Sequence, residues 1–108
     1  MNSNSKALTE LFSRIPRRHS ADNVKDIYSI ADEYEELLET IEAESPFYEK
    51  NISLFFDQLD EVRSLVKKST DNKASKKNKD GFFDDASGAL KDSIQALIEM
   101  YADGSRTA

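Results

Sequence analysis

Two apolar stripes flank Ser45-Pro46, and each has the period of an α-helix. Before the pair run Val24, Ile27, Ala31, Tyr34, Leu38 and Ile41; after it run Tyr48, Ile52, Phe55, Leu59, Val62 and Val66. Alternating steps of three and four place each set on one helical face. Two such faces joined by a short connection must close on each other or on a partner. Ile30 and Leu37 widen the first stripe beyond a two-position seam, which suits burial against more than one neighbour.

Punctuation in the sequence sets the element boundaries. Ala7, Leu8, Leu11, Phe12 and Ile15 predict a short helix over about 5–15, ended by Pro16, because the residue before a proline is pushed out of the helical region. Ser20 to Asp22 offer caps for a second helix over about 21–44. Ser45 as N-cap and Pro46 at the first helical position predict a third over about 46–69, antiparallel to the second across a tight turn. Residues 70–81 hold no large apolar side chain, and so read as a mobile linker. Phe83, Ala86, Leu90, Ile94, Leu97 and Tyr101 then line a last helix over about 82–102, with Gly104 as its expected stop. Gly88, beside Ala86, Ser87 and Ala89, makes a small-residue notch where another helix could approach. β-branched residues do not alternate, so strands have no support. The expected fold is all-α: a single domain over 1–108, three long helices plus a short N-terminal one, built on an αα-hairpin. The heptad-like spacing also suits coiled-coil pairing, so a homodimer is expected.

Charge is unevenly distributed. Residues 20–49 carry ten acids against Lys25, whereas residues 50–79 carry eight bases and four acids, in a chain whose net charge is −6. The acidic second helix repels itself in isolation and needs packing or cations supplied from elsewhere. Overall acidity argues against non-specific nucleic-acid binding. The chain has no cysteine, which excludes disulfides and thiolate metal sites and fits a reducing cytoplasmic setting. The first residues are polar, with no apolar signal segment. No apolar run approaches the roughly 20 residues that span a bilayer, so membrane insertion is not expected.

Catalytic chemistry finds few candidates. His19, beside Arg17 and Arg18, is the one histidine, and neither a nucleophile nor a carboxylate pair lies near it in sequence. One histidine cannot furnish a di-iron carboxylate bundle. The segment 76–87 would place Lys76 and Ser87 where a calcium loop needs its first and last carboxylates. No glycine-rich phosphate loop occurs. Arg17-Arg18-His19-Ser20 has the form of a basic-directed phosphorylation motif at a helix start. The chain therefore reads as neither an enzyme nor a cofactor protein.

A non-catalytic binding module is the leading expectation: a regulator, chaperone or inhibitor of a protein partner, suited to a basic one, that uses the apolar hairpin surface and the acidic helix. Glu35, Glu36 and Glu39 would steer that partner, and Phe47, Phe56 and Phe82, each adjoining a stripe residue, would anchor it. The alternative is nucleic-acid association through Arg14, Arg17 and Arg18 with the lysine-rich segment containing Lys76 and Lys77. Without an aromatic residue interleaved in either cluster, base stacking has no support.

Overall fold

The computed structural model describes residues 3–16, 18, 20–44 and 52–107. Four helices occur among them: α1 (Ser3–Arg14), α2 (Ala21–Glu44), α3 (Ser53–Ser69) and α4 (Lys76–Thr107). No strand occurs among the described residues. The fold is an all-α bundle, about 50 × 23 × 18 Å, whose long dimension matches the roughly 48 Å of a 32-residue helix.

Local chemistry explains most of the helix ends. Ser20 Oγ accepts the Asn23 N–H at 3.1 Å and so caps α2. Pro16 follows α1 and cannot extend it. At the end of α3 the Thr70 N–H donates to the Lys67 carbonyl, and the Thr70 hydroxyl donates to the same oxygen. Asp71 Oδ1 then accepts the Lys73 N–H at 2.9 Å, which tightens the turn into α4. The Ser45-Pro46 turn lies outside the described residues.

Three expectations are corrected. The linker 70–81 shortens to 70–75, because α4 begins at Lys76 with Ser75 Oγ accepting the Asn78 N–H at 3.2 Å. Once an anchored helix exists, each added residue needs only its own hydrogen bond, so two polar turns extend without an apolar face. The helix also runs through Gly104, since no described glycine adopts a positive φ. Gly88 receives no neighbouring helix: it is exposed, and nothing lies within 4 Å of where its Cβ would stand.

The bundle order follows from its contacts. Arg63, ten residues into α3, meets Glu35, nine residues before the end of α2; with the two helices antiparallel, the end of α2 and the start of α3 lie level, as the short stretch of sequence between them requires. The most extensive packing is between α3 and α4, which form the central hairpin across the 70–75 turn rather than α2 with α3. With α1 packed on both α2 and α4, the arrangement is up-down-up-down.

One continuous core fills the centre. It takes Leu8, Leu11 and Ile15 from the α1 segment, and Ile27, Ile30, Ala31, Tyr34, Leu38 and Ile41 from α2. Ile52, Phe55, Leu59, Val62 and Val66 come from the α3 segment, and Phe83, Ala86, Leu90, Ile94 and Leu97 from α4. The stripe residues at 24–41, 52–66 and 83–97 are thus buried or half-buried within a single chain, and closing them requires no second copy. Ser69, Ser87 and Ser93 are buried too, and each hydroxyl is bonded: to the Val66 carbonyl, the Pro16 carbonyl and the Tyr34 hydroxyl.

Candidate partner-binding surface

The acids of α2 divide between two helices that flank it. Arg14, at the end of α1, clamps Glu33 with both ends of its guanidinium, at 3.1 and 2.9 Å. The hydrogen bond to Glu33 and the surrounding negative charge raise the Arg14 pKa further. On the other flank, Arg63 of α3 bridges Glu35 at 2.9 Å and Asp32 at 2.8 Å. Partial burial lowers the Arg63 pKa, but its two charged hydrogen bonds outweigh that and raise it overall. These are the external cations that the acidic helix required.

Pairing leaves a defined remainder. Among the described residues Glu36 and Glu39 are exposed and have no ion-pair partner. Glu36 rims a cleft of about 310 Å³ between α1 and α2. Ala7, Leu11 and Leu37 supply its apolar surface, Glu10, Glu33 and Glu36 its negative charge, Thr40 a hydroxyl, and Arg14 a positive charge that Glu33 pairs. Hydrocarbon beneath carboxylates suits a basic side chain with a long apolar stem, such as lysine or arginine.

The other candidates fall differently. Glu35 is engaged by Arg63, apart from Glu36 and Glu39. Phe56 is half-buried against the core. Phe82 is half-buried, with the Lys68 ammonium 5.9 Å from its ring centre. Neither is an exposed anchor, and Phe47 lies outside the described residues. Leu54, 58% exposed, is the large apolar side chain that stands out to solvent among the described residues. Arg14 is committed to Glu33. Arg17 and His19 are outside the described residues, and Arg18, Lys76 and Lys77 are exposed. In the up-down-up-down arrangement α2 and α4 begin at the same end, which puts Arg18 and Lys76-Lys77 there, although α1 ends short of it, with Arg14 meeting Glu33 twelve residues into α2.

Sequence reasoning passed over Arg63. Its signal was present: it is the one base between Asn51 and Val66, beside stripe residue Val62, opposite an acid-rich helix. The cleft had no such signal, since it depends on how α1 leans against α2. Among the described residues no group of His, Cys, Asp and Glu could hold a metal ion, and no helix is long and apolar enough to cross a membrane. No protein-family model, curated protein or solved structure matches the chain.

Proposed function

We propose that this protein is a non-catalytic, cytoplasmic binding module that receives a basic segment of a protein partner in the α1–α2 cleft, and so regulates, escorts or inhibits that partner. The observation that carries this reading is the cleft itself: apolar at Ala7, Leu11 and Leu37, with three carboxylates and one already-paired arginine around it. A lysine or arginine entering there would bury its stem and keep its charge beside Glu10 and Glu36. Glu39, one turn beyond Glu36 on α2, extends the same field. The apolar stripes take no part, because they are spent on the core.

The test is photo-crosslinking in lysate from a probe at Thr40, with the native chain and with the double charge reversal Glu10→Lys, Glu36→Lys. The expected result is a partner whose labelled peptide is rich in Lys and Arg, captured by the native chain, lost with the reversal and weakened by salt. Identical capture by both forms would remove the cleft from the proposal. The shared end of Arg18, Lys76 and Lys77 favours the nucleic-acid reading as a second choice. That reading predicts a low-salt gel shift that the reversal Lys76→Glu, Lys77→Glu abolishes.

A further inference from the structure

The outward face of α3 carries an ordered charge pattern that its own helix cannot satisfy. Asp57, Asp60, Glu61, Ser64, Lys67 and Lys68 follow one another at steps of three, one, three, three and one, and so share a face. All six are exposed. The acids lie before Ser64 and the bases after it. Along the helix only Asp60 has a base three or four residues further on, Arg63, and that guanidinium is taken by Asp32 and Glu35 of α2. Asp57 instead stands four residues from Glu61, a repulsive spacing. The helix dipole does not account for the acids, because the first turn of α3 contains none and the dipole's influence fades within a turn. Among the described residues no ion pair engages any of the five charges, although Lys68 also rests against Phe82.

Four of the five charges, Asp60, Glu61, Lys67 and Lys68, are antisymmetric about Ser64, and a two-fold axis is the operation that satisfies such a pattern. We infer that α3 pairs antiparallel with α3 of a second copy across an axis at Ser64, so that Glu61 meets Lys67 and Asp60 meets Lys68 of the other chain, each contact made twice. Serine at the crossing point lets the backbones approach. At the rim, Asp57 comes opposite Asp71, the one like-charged pair of the arrangement, with Lys73 two residues further along the same turn. The second copy is the occupant because it alone is guaranteed to bring the reversed sequence of charges. The contact is one helix wide and polar, which places it among small, transient interfaces sensitive to ionic strength. It lies on a different face from the α1–α2 cleft and does not depend on it.

Sedimentation velocity on the full chain tests this, at ionic strengths of about 10 mM and about 1 M, where the screening length falls from about 30 Å to about 3 Å. The native chain is expected to dimerise at low salt, with its dissociation constant rising at least tenfold (about 1.4 kcal/mol) at high salt. The reversals Asp60→Lys, Glu61→Lys and Lys67→Glu, Lys68→Glu should each give monomers. Mixing the two variants in equal amounts should restore a dimer, now a heterodimer. Circular dichroism confirms that each remains helical, and the single reversals Glu61→Lys and Lys67→Glu replace any double that does not. A monomeric native chain at low salt, dimers that persist in both variants, or a mixture that fails to reassociate would each overturn the inference.

Discussion

Tyr34 shows how one side chain can hold two helices in register. Its ring is fully buried, and its hydroxyl lies 2.8 Å from Ser93 Oγ, joining α2 to α4 across the core. Burial raises the phenol pKa well above its usual 10, and the bond to Ser93 opposes that only partly. The native state therefore keeps its proton at pH values where the unfolded chain gives it up. The unfolded state then binds fewer protons, so stability is complete below about pH 10 and falls as pH rises beyond it, by up to about 1.4 kcal/mol per unit. Tyr34→Phe should cost about 1 kcal/mol at pH 7 by stranding the Ser93 hydroxyl, and it should flatten the loss above pH 10. Urea titrations of both forms at pH 7, 9 and 11 read the two effects. An alkaline slope unchanged by the substitution would place the titrating group elsewhere.

At the scale of the helix, α4 combines stretches that the sequence makes plain with stretches that it conceals. Its apolar face from Phe83 to Leu97 is legible, because alternating steps of three and four leave no other structure. Its first two turns are hidden, because Lys76 to Asp80 carry no apolar periodicity and are held by the Ser75 cap and by propagation from the packed part of the helix. The same division runs through the candidate site. The acidic strip of α2 could be read from composition, but the division of its acids between Arg14 and Arg63 could not, since it depends on which helix lies on which flank. Gly88 is the instructive failure: small neighbours suggested a crossing point, and the structure leaves it open to solvent. Gly88→Ala should therefore relieve the entropy cost of glycine without a clash, stabilising the chain by about 0.5–1 kcal/mol. A thermal melt that rises by a few degrees bears this out, and a fall would mean that another surface does approach that point.

At the scale of the molecule, the question is whether α1 is an appendage or part of one folding unit. Twelve residues are too few to hold a helix in water, so α1 exists only through what it buries. It buries much: Leu8 is fully enclosed, Leu11 and Ile15 nearly so, and all three belong to the same core as Tyr34 and Leu90. The Ser87 hydroxyl also donates to the Pro16 carbonyl at 2.9 Å, tying the exit of α1 to α4. A cavity at Leu8 should therefore be felt through the whole bundle. Leu8→Ala should cost about 2–4 kcal/mol and lower the melting temperature by about 10 °C or more. Far-ultraviolet circular dichroism, which reports all the helices, and the near-ultraviolet signal of the four tyrosines, buried Tyr34 among them, should lose their native values in one shared transition. If α1 were only docked, the substitution would fray it early and leave the tyrosine transition where it was. Coincident curves shifted together would show that the shortest helix is as much a part of the fold as the longest.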